Sequence, residues 1–201
     1  MKTYTYLLTP IAVLLTIISC ATPKNEQPTE QEPTAVEQET TTTTEQVAVI
    51  TTEKGTIVIE FYTESAPVAV ENFKKLINQK FYDGLIFHRI ENYPGLNIVQ
   101  GGCPNGDGFG GPGWKIVDEY TNPNQRKHIR GTIAMARSQF PNSAGSQFYI
   151  CLKPQPHLDG QYTTFGGVIQ GMEIVDTLVV GDTMTKIRLE AKSNYVKATE
   201  N

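Results

Sequence analysis

The chain has 201 residues, with 21 Asp and Glu against 17 Lys and Arg for a net charge of −4. That balance lacks the basic footprint a nucleic-acid-binding protein needs. The excess of acid lies in the first 46 residues, which leaves 15 acids and 15 bases from 47 to 201 and no electrostatic reason for that region to seek an anionic membrane.

At the N-terminus, MKTYTYLLTPIAVLLTIISC places Lys2 before an apolar run from Leu7 to Ile18, interrupted by Thr9, Pro10 and Thr16. The run is too short to span a bilayer, which takes about 20 residues, so residues 1–19 read as a signal peptide. The closing IISC resembles the lipobox of bacterial lipoproteins, which implies that Cys20 is lipidated and becomes the mature N-terminus. Ordinary cleavage between Ser19 and Ala21, releasing a free secreted product, is the alternative. Residues 21–46 hold six Glu, one Lys, eight Thr and three Pro. Nothing there can bury a core, so residues 20–46 read as a disordered tether with a span of roughly 30 Å.

Residues 47–201 read as one domain. VAVITTEKGTIVIEFY alternates apolar residues about Glu53, Lys54 and Gly55, a hairpin pattern. Ser65 then precedes APVAVENFKKLINQ, where Pro67 suits a first helical turn and Val70, Phe73, Leu76 and Ile77 form one stripe, predicting an amphipathic helix. The short β-rich runs GLIFHRI, LNIVQGG, GTIAMA, SQFYICL and TTFGGVI follow. Their spacing points to a mainly β fold with a closed or nearly closed antiparallel sheet. GMEIVDTLVV predicts a second short helix and KIRLEAKS a last strand.

NGDGFGGPGW contains a GxGxxG match at Gly106, Gly108 and Gly111. Pro112 and Gly113 follow where a dinucleotide site needs a helix to open, so the segment reads as a surface loop. Asp107 lacks the alternating carboxylates of a calcium loop. His88, His128 and His157 are isolated from one another and from Cys103 and Cys151, so no metal site is expected. Whether Cys103 and Cys151 pair depends on a separation the sequence does not give.

The strings that remain are FYDGLIFHRI, IVQGG, GFGGPGW, GTIAMA, GSQFYI, HLDGQYTTFG and VIQGMEIVD, in that order. Together they resemble the cyclophilins, peptidylprolyl cis-trans isomerases whose motifs read FHR, QGG, GSQFF and LDG followed by FG. The resemblance runs from about Val47 to Val180. It implies a closed eight-stranded antiparallel barrel capped by two α-helices, a proline-binding groove on the outside, proline-containing polypeptides as partners and no cofactor. A monomer is expected.

An arginine in an apolar run such as IFHRI is either half of a buried ion pair or part of a site, because desolvating a lone charge is costly. Rotation about the bond before proline faces a barrier of about 18 to 20 kcal/mol. A catalyst need only bind the twisted amide better than either planar form. The resemblance assigns that work to Arg89, which donates to the prolyl nitrogen, and to Gln100, which orients Arg89 and holds the substrate backbone. It places Ile98, Tyr149 and Leu158 in an apolar proline pocket, Ala136 and Gln147 beside the preceding substrate residue, and Arg137, His157 and Tyr162 around the groove.

This chain also departs from the family pattern. Three extra residues separate Arg89 from Gln100, and counting back puts Asn97 where the family has phenylalanine. Either the pocket is poorer, or a bulge brings Leu96 or Tyr93 into the gap. Tyr162 replaces a histidine, His157 a tryptophan used in binding cyclosporin, Arg137 an asparagine and Cys103 an aspartate. The expected activity is prolyl isomerisation assisting protein folding in the bacterial cell envelope, facing the periplasm, with the outer membrane favoured because Ala21 and Thr22 provide no retaining aspartate. A non-catalytic module that holds proline segments as a chaperone is the alternative.

Overall fold

The computed structural model describes residues 45–196; the signal peptide, Cys20 and all but the last two residues of the tether lie outside them. Strands β1 (Gln46–Thr52) and β2 (Gly55–Phe61) form the expected hairpin, with Thr52 facing Gly55 across its tight turn. The first strand begins one residue before the boundary read from composition. Helix α1 (Pro67–Asn78) follows and buries Ala69, Val70, Phe73, Leu76 and Ile77, the stripe its 3.6-residue period places on one face. Its N-cap residue, Ala66, has no side-chain oxygen to offer. The free N–H groups of Val68 and Ala69 donate instead to the Glu119 carboxylate, at 3.0 and 2.9 Å, where its negative charge also favours the positive end of the helix.

The remaining strands are β3 (Arg89–Tyr93), β4 (Leu96–Gly101), β5 (Thr132–Met135), β6 (Phe148–Cys151), β7 (Thr164–Gln170) and β8 (Lys186–Ala191), with the short helix α2 (Met172–Thr177) before the last. They form one antiparallel sheet in the order β3-β4-β6-β5-β7-β2-β1-β8. One face packs with α1 around a core that includes Phe73, Tyr82, Phe87, Phe148, Phe165 and Ile187. A fully buried side chain of this size contributes about 1.5 to 3 kcal/mol.

The sheet is not closed, which corrects the expected barrel. Its ends, β3 and β8, share no ladder. The segments that precede them meet through one bridge, Ile86 with Thr183, and through backbone bonds from Gly84 to Met184, Met184 to Leu85 and Phe87 to Asp182. Gly84 and Gly181 stand at φ 84° and 99° on either side of this seam, and those left-handed turns break the extended run a ladder requires. For the same reason only Arg89 and Ile90 of GLIFHRI belong to a strand. The backbone groups across the gap are paired, so the sheet needs no ladder to satisfy them.

Candidate active site

Register decides what the groove contains. Strands β3 and β4 pair Arg89 with Gln100, Glu91 with Ile98 and Tyr93 with Leu96, while Ile90 faces Val99 and Asn92 faces Asn97. Directly opposed residues share a face and neighbours along a strand alternate. Arg89, Glu91, Tyr93, Leu96, Ile98 and Gln100 therefore stand on one side of the hairpin. Asn97 stands on the other, buried, with its amide donating to the Tyr93 carbonyl at 3.0 Å. The β3–β4 ladder runs in regular pairs from Arg89–Gln100 to Tyr93–Leu96, closed at Pro94 and Gly95, with no bulge. Leu96 and Tyr93 do enter the pocket, by alternation.

A concave pocket of about 450 Å³ is lined by Arg89, Tyr93, Gly95, Leu96, Ile98, Gln100, Ala136, Arg137, Tyr149, His157, Leu158 and Tyr162. Of the positions carried over from the cyclophilin pattern, all within the domain reach this pocket except Gln147. Its apolar floor is a cluster apart from the main core, with Ile98, Ala134, Tyr149 and Cys151 buried and Leu96, Ala136, Leu158 and Tyr162 packed against them. Gln147 lines an adjoining pocket of about 640 Å³, under the glycine-rich loop, which shares Gln100, Ala136 and Arg137 with the first.

Hydrogen bonds run through both pockets. The Arg89 guanidinium donates from Nε to Glu91 Oε1 at 3.0 Å and from Nη1 to Gln100 Oε1 at 3.3 Å. Gln100 Nε2 donates to Gln147 Oε1 at 3.0 Å, and Gln147 Nε2 donates to the carbonyls of Gly108 and Gly110 at 2.9 and 3.0 Å. Each amide is used at both ends, which fixes its orientation. The Arg89 side chain is 46% exposed, so it is not a buried ion pair; it lies at the pocket mouth. The Arg137 guanidinium turns away to the Gln161 carbonyl at 2.8 Å and lies 5.0 Å from the Tyr162 ring centre, bracing that ring as part of the wall.

Sequence reading did not anticipate the support beneath the floor. The Tyr149 hydroxyl meets His128 Nε2 at 3.0 Å, and His128 Nδ1 meets Asp159 Oδ1 at 2.9 Å. His128 is 2% exposed. Burial lowers its pKa despite the Asp159 carboxylate beside it, and burial raises that of the Tyr149 phenol. Both stay neutral near pH 7, so the groups nearest the apolar floor are uncharged and the charge of the relay sits beyond His128, on Asp159. His128 and Asp159 are 31 residues apart in the chain, too far for a local pattern to reveal. Glu91 had a readable signal, because two residues beyond Arg89 on a strand is the same face.

Burial and the neighbouring guanidinium of Arg89 together lower the pKa of His88. Cys103 and Cys151 are both buried free thiols, and burial pushes Cys151 up to about 12, so it is an unreactive part of the floor. Among the described residues, no three His, Cys, Asp or Glu side chains gather as a metal site.

The pocket and its motifs can now be set beside known proteins. The family profile described as cyclophilin type peptidyl-prolyl cis-trans isomerase/CLD matches residues 47–199. This chain belongs to the cyclophilin family. As a cyclophilin it is a peptidyl-prolyl cis-trans isomerase. It is similar to a peptidyl-prolyl cis-trans isomerase of Synechococcus elongatus, 46% identical over 144 residues, covering 71% of this chain and 94% of that protein. Peptidyl-prolyl cis-trans isomerase B of Bacillus subtilis is 47% identical over 134 residues, covering 67% and 90%. Among solved structures, a Cryptosporidium parvum cyclophilin in the presence of the dipeptide Ala-Pro superposes with a TM-score of 0.65 at 32% identity, covering 72% of this chain and 98% of that one.

Proposed function

We propose that this cyclophilin accelerates folding of proline-containing proteins in the bacterial cell envelope, with Arg89 as the catalytic cation. The observation that carries the site assignment is a guanidinium held at the mouth of a pocket whose floor is apolar. A pyrrolidine ring has nothing to hydrogen bond and suits that floor of Ile98, Leu96, Tyr149 and Leu158. With the ring seated, the amide nitrogen and the proline carbonyl lie at the rim, within reach of Arg89 and Gln100. As the amide twists, its nitrogen lone pair is no longer shared with the carbonyl and becomes an acceptor. A donor fixed in advance then stabilises the twisted form more than either planar one.

Gln100 holds Arg89 and offers its remaining capacity to the substrate backbone. Ala136, Gln147 and the backbone at Arg137 flank the residue before proline, while His157 and Tyr162 complete the rim. Leu96 in the pocket, with Asn97 turned away, keeps the floor apolar, and Arg89 bonded to Gln100 at the rim supports catalysis over mere holding. The envelope setting rests on the IISC sequence: a lipid on Cys20 anchors the protein, and residues 21–46 carry the domain clear of the membrane into the periplasm, from the outer membrane by preference.

Two measurements test this. Exchange of an Ala-Pro peptide, followed by NMR, must speed up on adding the domain in catalytic amounts; no acceleration rejects the enzyme at this site. Cys20→Ser must move the full chain from the membrane pellet to the soluble fraction, since a lipid chain contributes about 0.8 kcal/mol per buried methylene. Retention in the pellet rejects the anchor.

A further inference from the structure

We infer that Glu91 is a positioning residue for the isomerase reaction, acting by holding the guanidinium of Arg89; this rests on Arg89 being the catalytic cation. The regular β3–β4 pairing places Arg89 and Glu91 two residues apart on the groove face, opposite Gln100 and Ile98. The closer of the two side-chain bonds made by Arg89 is to Glu91, Nε to Oε1 at 3.0 Å, against 3.3 Å from Nη1 to Gln100. No hydrogen bond among the described residues uses Nη2, so its donors are available to an incoming substrate. A guanidinium tied at Nε and Nη1 has lost its freedom to rotate, while its third nitrogen keeps its donors.

The need for such a tie comes from exposure. At 46% exposed, the Arg89 side chain has little packing to hold it, and an untied arginine carries rotamer entropy that substrate binding must overcome. Gln100 alone is a neutral acceptor at the longer distance. Glu91 adds a charge-assisted bond, the stronger kind. The Glu91 carboxylate occupies only the Nε edge, at 3.0 Å, so the pair keeps its attraction at 29% exposure of the acid while the other donors of the guanidinium stay free of it. The same face of the β3–β4 hairpin carries Glu91 and, nearer its tip, Tyr93 and Leu96, so one hairpin provides both the tie and the pocket lip.

The test is a double-mutant cycle on the full chain with an Ala-Pro peptide, measuring kcat and KM separately alongside the melting temperature. Glu91→Ala should lower kcat about 10-fold with KM changed less than about 2-fold, because a loosened rather than deleted group costs part of what misplacement by 1 Å can cost. Glu91→Gln, which keeps an oxygen acceptor, should recover most of that loss. In an Arg89→Ala background, Glu91→Ala should have no further effect, since the two residues act as one unit. Glu91→Lys, which repels the guanidinium, serves as a second probe if the alanine variant melts early, and should lose more than 10-fold. Glu91 variants with wild-type or higher kcat, beside a slow Arg89→Ala, overturn the role of Glu91 while leaving the active site assignment intact. An undiminished effect of Glu91→Ala in the Arg89→Ala background overturns it as well. A wild-type rate for Arg89→Ala removes both the site assignment and the reason for a tie.

Discussion

Replacing Arg89 by alanine should separate catalysis from folding, and the geometry sets both magnitudes. On the stability side, the Arg89–Glu91 pair lies at 3.0 Å with side chains 46% and 29% exposed. Exposed pairs contribute about 0 to 1 kcal/mol, and loss of Arg89 leaves no buried charge behind. For a domain of this size that is a fall in melting temperature of about 4 °C at most. On the catalytic side, deleting one preorganised donor costs about 2.7 to 4 kcal/mol, or two to three decades in rate. Because the Arg89 side chain is 46% exposed, the lower end applies, about a 100-fold loss. Arg89→Lys should fall between, since an ammonium keeps the charge but cannot use a planar fork to bond Glu91 and Gln100 at once. Exchange of an Ala-Pro peptide by NMR and a thermal melt on the same samples give both quantities. A rate within about 3-fold of wild type refutes the catalytic role, and a lost rate with a melting temperature more than about 10 °C lower refutes the claim that Arg89 is dispensable for folding.

Gly102→Ala should destabilise the domain by more than about 2 kcal/mol, because Gly102 stands at φ 83° and a Cβ there would run into the Ser146 carbonyl oxygen and lie 3.2 Å from Gln147 Cα; a melt within 2 °C of wild type refutes it. Stability should fall as pH drops below about 6.5, the ordinary imidazole value, because the unfolded chain takes up protons there that half-buried His88 and buried His128, with lowered pKa values, refuse. Melts from pH 7.5 to 5.5 check this, and His128→Gln should flatten the slope; a melting temperature constant over that range counts against it. Cyclosporin should inhibit weakly, since His157 at the pocket rim offers an exposed imidazole in place of the larger indole ring. Titration of the drug into the exchange assay decides this, with potent inhibition as the contrary result.

The β1–β2 hairpin, the buried stripe of α1, the brief α2 and the final strand were legible because each is written in a local period: two residues for a strand, 3.6 for a helix, and a glycine or proline where the chain turns. The ordered strings from FHR to FG likewise carried the family, and with it a list of pocket residues that all reached the groove region. What the sequence alone could not set was parity. Counting back from Gln100 leaves Asn97 where an aromatic is usual, and only the pairing of β4 with β3 reveals that Asn97 points away and Leu96 points in, since shifting a strand by one residue exchanges its faces. The open seam between β3 and β8, the Glu119 cap on α1 and the support of Tyr149 by His128 and Asp159 were hidden for a related reason. Each joins groups dozens of residues apart through hydrogen bonds that exist only once the sheet has brought them within 3 Å or so, and no window along the chain contains both partners. Local periodicity and motif order thus determined which elements form and which family they build; tertiary pairing decided which side chains face the groove and what holds them there.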